Sequence, residues 1–506
     1  MKQAVGAVFQ GFVVDPTAPV PLYRQLHELL RDALLTGALP AGSRLPSSRA
    51  LAEDLGLSRN TVCAALERLV DEGFVDSRVG DGSYVSETLA DLGAAGGKAL
   101  GEGEMGDRDE GSSDGCLVSK RSISRRGMAI TSTAQGPDPL RPKAFAVGVS
   151  ALDAFPIGTW RRLLGRRARQ MAAADLGHGS PAGDPRLRRL LVQYLTTARG
   201  VRCSPEQVLI LPSAQLGLDL ASRVLLDPGE AAWIEEPGYL GARGALTAAG
   251  ARLVPIPVDD DGLQVARGEE LCVAARVAYV TPSHQFPLGA SMSLERRLRL
   301  LAWAEEHGAW ILEDDYDSEF RYDGKAAQAL QGLDRAGSVL YLGTLSKVLF
   351  PALRLAYLVV PRELVEPFRR ARFLLDGHVA PSTQGALADF MEAGHFTGHL
   401  RRMRSLYRER RDVLLGEVGR RFGDLFRFPG VETGMHVSAR LRHGDDRRIA
   451  VRAEEHDLDL APLSRYFLGD DPQHGVAFGY AHVPPEEIVA ACGRLEAVLT
   501  AEGLLP

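Results

Sequence analysis

Apolar positions between residues 51 and 73 recur at helical spacing. Val62, Ala65, Leu66, Leu69 and Val70 follow i, i+3, i+4, i+7 and i+8, one face of an amphipathic helix. Ala52 stands four residues before Gly56 and ten before Val62. That spacing predicts a helix-turn-helix, with a small residue where the helices touch, glycine in the turn and an apolar anchor on the second helix. Ser58 stands where an N-cap is needed. Arg59, Asn60 and Thr61 then occupy the exposed start of the second helix, as side chains suited to a major groove and its phosphates. Upstream, Leu22, Leu26, Leu29, Leu30 and Ala33 predict a supporting helix that ends near Gly37. Downstream, "FVDSRVGDGSYV" predicts two short strands around Gly80, Asp81 and Gly82, a wing.

A second rhythm starts near Phe145. Short apolar runs ("QVLILPS", "AAWIEEP", "RLVPIPV", "RVAYVTP", "AWILEDD", "VLYLGT") alternate with longer amphipathic stretches. This predicts an α/β domain with a mostly parallel sheet. Between the two patterns, residues 89–115 are rich in Gly, Ala, Asp and Glu and poor in large apolar side chains. They bury too little to offset their ordering entropy, so a flexible linker is expected. The expected division is 1–87 for a DNA-binding head, 88–143 for the linker and 144–506 for the large domain. The linker turns basic near its end, with Lys120, Arg121, Arg125 and Arg126.

Composition narrows this picture without redirecting it. A chain of 506 residues exceeds one ordinary domain, and 45% hydrophobic with 25% charged residues is typical of soluble globular proteins. No apolar run approaches the ~18 residues of a membrane span, and the N-terminus lacks a secretory pattern. Cys63, Cys116, Cys203, Cys272 and Cys492 are scattered, without a CxxC pair, which points to reduced thiols and a cytoplasmic protein. The net charge is -6, and residues 1–87 hold 8 Lys/Arg against 11 Asp/Glu. Phosphate attraction dominates DNA affinity, so one head alone is expected to bind weakly and a dimer to be needed.

Candidate chemistry lies at strand ends. "WILEDDYDSEF" ends a strand in Glu313, Asp314 and Asp315, followed by Tyr316. Lys347 comes 33 residues after Asp314, behind a second strand that ends at Thr344 and Ser346. One strand-crossover-strand unit fits that interval, so Asp314 and Lys347 can face one pocket. Spacing alone leaves a salt bridge and a cofactor site both open. Glu392, His395 and His399 have helical spacing, but no further ligand set accompanies them and no metal is expected. In "HLRRMRSLYRERRD", Leu400, Met403 and Tyr407 form an apolar stripe, leaving the arginines as the wet face of a helix.

Two resemblances join these pieces. Residues 22–85, through "LPSSR", "LSRNTV" and "GDGSYV", resemble the GntR family of winged helix-turn-helix regulators. The resemblance implies DNA contacts from Arg49, Ser58, Arg59, Asn60 and Thr61, with the wing near Gly80 and Gly82. Cys63 stands where the family often has arginine. "PSHQFPLG", "EDDYDSEF", "GTLSK" and Arg354 resemble a fold type I aminotransferase, and with the head they resemble MocR-type regulators.

That likeness implies pyridoxal phosphate as cofactor. Lys347 would form its Schiff base. Asp314 would hold the protonated pyridine nitrogen and Tyr316 the ring 3-oxygen. Tyr239 would stack on the ring. Arg354, Ser213, Ala214 and Gln215 would hold the phosphate, with Thr344 and Ser346 beside the lysine. The likeness also implies a homodimer, in which His178 stands where a tyrosine often reaches the partner's phosphate. Gly241 and His482 stand where related regulators place arginines for a carboxylate, and Arg243 is two residues away from the first of these. The expected function is a pyridoxal-phosphate-dependent transcriptional regulator, its binding to operator DNA controlled by the cofactor or by an amine effector forming an aldimine with it. The alternative is an active aminotransferase with an accessory DNA-binding head. The resemblance leaves turnover open.

Overall fold

A computed structural model describes residues 8–9, 11–78, 81–89, 122–133, 142–322 and 328–505. Its contacts divide the chain into two units, Met1–Val118 and Ser119–Pro506.

In the first unit, α1 (Leu22–Leu35), α2 (Ser48–Leu55) and α3 (Arg59–Asp71) precede an antiparallel hairpin of β1 (Val75–Arg78) and β2 (Gly82–Val85). The predicted stripe forms the core: Val62, Ala65 and Leu69 are buried against Leu26 and Leu30. Gly56 ends α2 at φ 64°, a left-handed conformation that glycine adopts without a Cβ penalty. The wing is shorter than expected at its turn, since Gly82 is already the first residue of β2 and pairs with Arg78. Gly80, expected at the wing, lies outside the described residues.

The second unit is built on an eight-stranded sheet: β3 (Val208–Leu211), β4 (Ala231–Glu236), β5 (Arg252–Asp259), β6 (Gly262–Leu263), β7 (Val277–Val280), β8 (Trp310–Asp315), β9 (Val339–Thr344) and β10 (Ala356–Val359). The spatial order is β3-β10-β9-β8-β7-β4-β5-β6. The pairs β4–β5, β4–β7, β7–β8 and β8–β9 are parallel, and β10 is antiparallel to both β3 and β9. Parallel strands buried on both faces read as continuous apolar runs, which is why these segments were legible. Parallel pairing also gathers the carboxyl ends of β4, β7, β8 and β9 along one sheet edge. A four-stranded sheet of β11 (Phe426–Arg427), β12 (His436–Leu441), β13 (Ala461–Pro462) and β14 (Gly475–Gly479) completes the unit.

Two expectations need correction. The linker span 88–143 is not uniformly without structure: α4 (Arg125–Thr133) is helical and packs on α5 (Leu240–Ala249). Ser124 accepts the Gly127 backbone N–H on its Oγ at 3.0 Å, and Arg126 donates to the Ala248 carbonyl at 3.2 Å. The helix lies beyond the apolar-poor stretch 89–115, and local capping together with its packing on α5 holds it. The arginines of α6 (His395–Phe422) are also not simply a wet face. Arg410 and Arg411 are buried, Arg410 reaching Asp153 at 2.7 Å and Arg411 the Val431 carbonyl at 2.9 Å. Arg404 and Arg408 donate to the carbonyls of Glu319 and Tyr322. These side chains tie the long helix to the segment after β8.

Candidate functional site

Three acids end β8, and their surroundings separate them. Glu313 accepts the backbone N–H groups of Leu330 and Gln331, each at 2.8 Å. Asp315 forms a buried ion pair with Arg199 at 2.8 Å and accepts the Tyr341 hydroxyl, both on Oδ2, so its charge is matched even though its Oδ1 has no hydrogen-bond partner among the described residues. Asp314 accepts from the Tyr279 hydroxyl at 2.9 Å, and its other oxygen is buried without a hydrogen-bond partner among the described residues. Burial pushes Asp314 up to about 6, against the pull of Tyr279 and Lys347. Lys347 follows the neighbouring strand β9. Its amine lies 4.5 Å from the Tyr316 ring centroid and 6.0 Å from that of Tyr239. Burial holds the amine below its ordinary value, with Asp317 and Asp314 opposing. Gly148 passes so close that a Cβ there would stand 3.7 Å from Lys347 Nζ.

A groove of about 1000 Å³ opens beside Tyr239, lined also by Ser213, Gln215, Gly241, Arg354 and Ile130 among others. Ser213 caps α7 (Ala214–Leu225), accepting the Leu216 N–H at 3.1 Å. Ala214 is the first residue of that helix, whose N-terminus favours an anion. Arg354 is exposed and held at φ 52°. Thr344 closes β9, and its Oγ1 accepts the Ser346 N–H at 3.3 Å. His178 lies apart from this set, exposed, its ring 6.1 Å from His378.

In the head, Ser58 caps α3 through the Thr61 N–H at 3.1 Å, and its Oγ also bonds Thr61 Oγ1 at 2.8 Å. These two hydroxyls satisfy one another, while Arg49, Arg59 and Asn60 stand exposed. The sequence reading missed Arg44, which donates to the Asp81 carbonyl and, with Arg78, flanks the Tyr84 ring on the wing.

Residues 162–458 match the family described as aminotransferase class I and II, and residues 22–85 match bacterial regulatory proteins of the gntR family. The "Probable rhizopine catabolism regulatory protein MocR" of Rhizobium meliloti is 40% identical over 500 residues, 98% of this chain and 97% of that protein. The chain belongs to the MocR-type regulators. The pyridoxine biosynthesis transcriptional regulator PdxR of Corynebacterium glutamicum is 30% identical over 92% of this chain and 93% of its own. Among solved structures, the α-aminoadipate aminotransferase LysN of Thermus thermophilus, complexed with N-(5'-phosphopyridoxyl)-L-leucine, superposes with a TM-score of 0.66 at 30% identity. The match covers 71% of this chain and 92% of that one. Pyridoxal phosphate is the cofactor these likenesses indicate. The residues present fit it: an unpaired buried carboxylate oxygen, a lysine beside it, and an anion cradle of helix N-terminus, hydroxyl and guanidinium.

The positions where related regulators place carboxylate-binding arginines are differently used in this MocR-type regulator. A Cβ on Gly241 would lie 2.4 Å from both Gln215 Oε1 and Tyr239 Cε1, so those side chains occupy the room a longer residue needs. His482 is held below its ordinary value by burial, and its Nε2 lies 3.1 Å from the Lys143 carbonyl. A neutral imidazole donating there has no charge to offer a carboxylate. Of the metal-like trio, His399 is buried with Nε2 3.2 Å from the Val348 carbonyl, a packing role.

The acid-rich strand ends predict a pH dependence. Burial raises Glu235 and Glu313 from 4.5 to about 7. Folding therefore takes up protons between those values, and the stability these groups contribute is full below about pH 4.5 and lost as pH rises through 7. Denaturant titrations of the full chain should show unfolding free energy falling from pH 5 to 7, by up to about 1.4 kcal/mol per pH unit per group. Glu235→Gln should remove its share of that slope, and an unchanged slope would refute the assignment.

Proposed function

We propose that this regulator binds operator DNA with an affinity set by the occupant of the site at Lys347 and of the groove beside Tyr239, either pyridoxal phosphate itself or an amine that reaches it. When bound, the cofactor supplies an electrophilic aldehyde carbon and an electron-withdrawing ring. Lys347, its proton loosened by burial, offers the amine. Asp314 holds the pyridine nitrogen through its unpaired oxygen, and Tyr239 covers the ring. Arg354, Ser213 and the N-terminus of α7 hold the phosphate as a fork plus amide donors. His178 acts from a second copy of the chain. Exposed Ile157, Leu176 and Leu374 support such a pairing as apolar surface for that copy to cover. Two heads, each net acidic, then read two half-sites together.

One observation carries the regulatory reading. Ile130, on α4 in the segment that leads from the head, lines the same groove as Ser213, Tyr239 and Arg354. An occupant of the groove therefore meets the chain that continues to the DNA-binding unit. It shifts DNA affinity only as far as it binds the DNA-competent and DNA-incompetent states unequally. The weakened carboxylate positions favour an occupant without an amino-acid carboxylate.

The test uses an operator selected from random duplexes and fluorescence anisotropy with and without pyridoxal phosphate. Wild type should change affinity at least about tenfold, the ~1.4 kcal/mol typical of allosteric coupling. Ile130→Asp should still take up the cofactor but lose most of that response. Steady amino transfer between a donor and a keto acceptor, with DNA affinity unmoved, would instead establish the enzyme.

A further inference from the structure

Behind Tyr316 lies a buried chain of polar groups that the cofactor assignment leaves unused. His284, in the turn after β7, has Nδ1 3.0 Å from Asp317 Oδ1, 3.1 Å from Asp317 Oδ2 and 3.0 Å from the Tyr316 hydroxyl. All three residues are buried. Asp317 also accepts the Met435 backbone N–H at 3.2 Å, so its carboxylate cannot turn away. One ring nitrogen thus faces an acid and a phenol at once. Although burial alone would raise Asp317, His284 holds it below its ordinary value, so it is ionised at neutral pH. An ionised carboxylate requires the proton on Nδ1. That N–H is shared between Asp317 and the Tyr316 oxygen, which then accepts and does not donate. The Tyr316 proton is left to point away from His284, on a ring whose face carries the Lys347 amine 4.5 Å from its centroid.

We propose that His284, fixed by Asp317, is a positioning residue that aims the Tyr316 hydroxyl proton at the Lys347-bound cofactor. This rests on the reading that Lys347 and Tyr316 hold pyridoxal phosphate. The groups that act on Tyr316 and its partners are Asp314 and Asp315 on β8, Asp317 beyond it, Glu235 on β4, Lys347 after β9, and His436 on β12. Burial and His284 push His436 down to about 3, so it stays neutral. A proton donated by Tyr316 to the ring 3-oxygen favours the deprotonated form of the cofactor linkage. Losing that donation raises the pH at which the bound chromophore changes colour.

The experiment is a pH titration of the visible absorbance of the full chain loaded with pyridoxal phosphate. Asp317→Asn keeps the shape but presents an N–H to Nδ1. The imidazole proton moves to Nε2, and Nδ1 then draws the Tyr316 proton to itself. Its midpoint should rise by at least about half a pH unit, as should that of His284→Leu. His284→Gln, which keeps a donor, should return part of the shift. Tyr316→Phe should shift the midpoint upward too, and adding His284→Leu to it should shift it no further, since the histidine acts only through the tyrosine. Equal midpoints in wild type and Asp317→Asn would overturn the proposal while leaving the cofactor site intact. Failure of wild type to develop any visible band would instead overturn the underlying site. Additive shifts in the double variant would reduce His284 to a packing role.

Discussion

Lys347→Ala should abolish the visible absorbance of bound pyridoxal phosphate completely. In the wild-type chain, borohydride should trap the cofactor on a single peptide containing Lys347, and the variant should give no adduct. The argument starts from the residue type. The chain has 59 cationic side chains, of which six are lysines. Arginine stays protonated and cannot serve as a nucleophile, so a lysine in a half-buried turn of an arginine-rich chain has a chemical reason to be there. Burial moves its amine toward the neutral form, and Asp314 and Asp317 keep it from being lost to that form entirely. No other described lysine stands at the end of a parallel strand beside an unpaired buried carboxylate. The variant should also lose the response of DNA affinity to added cofactor while keeping its basal affinity. A variant that retained the wild-type spectrum would refute the assignment of Lys347.

Arg59→Ala should weaken operator binding by about 10- to 100-fold, the 1–3 kcal/mol expected of one good base or phosphate contact. Thermal stability should hardly move, because Arg59 is an exposed side chain at the start of α3 and takes no part in the head's core. Measuring affinity across salt concentrations separates the two kinds of contact. If Arg59 meets a phosphate, the log–log salt slope falls by about one. If it meets a base edge, the slope holds and preference at one position relaxes. Ser58→Ala should behave oppositely, costing about 1 kcal/mol of head stability through its lost cap and much less in direct contact. The contrast follows from the Ser58–Thr61 pairing. Wild-type affinity in Arg59→Ala would remove the start of α3 from the DNA interface.

Much of this architecture was legible in the chain. The α3 stripe from Val62 to Val70 and the apolar runs that became β3, β4, β5, β7, β8 and β9 are periodicity signals that local sequence carries. β10 was not separated from the apolar stretch around it, since four residues between a turn and a proline give no period to read. Helix α4 lies outside the apolar-poor stretch 89–115 but inside the expected linker 88–143: the cap from Ser124 and the bond from Arg126 to Ala248 are particulars that a reading of the segment as a whole does not contain. The arginines of α6 misled for a related reason. Whether a guanidinium faces water or a carbonyl across the fold depends on what lies opposite, and Asp153 and Val431 are distant in sequence from the arginines they meet or lie on another element.

The site divides the same way. By itself the sequence determined the two units and the strand-end placing of Asp314 and Lys347, because these follow from periodicity and from spacing within one strand-crossover-strand unit; the phosphate role of Ser213 came only with the resemblance. The resemblance had singled out Asp314, and only the tertiary structure decided that it is the one of Glu313, Asp314 and Asp315 left without an amide or ion-pair partner. Leu330, Gln331 and Arg199 had to arrive from elsewhere to occupy the other two. It also brought His284, Asp317 and Tyr316 to one buried point and set Ile130 on the groove rim. Those contacts join residues tens to hundreds of positions apart. Distance along a chain does not encode them, and packing does.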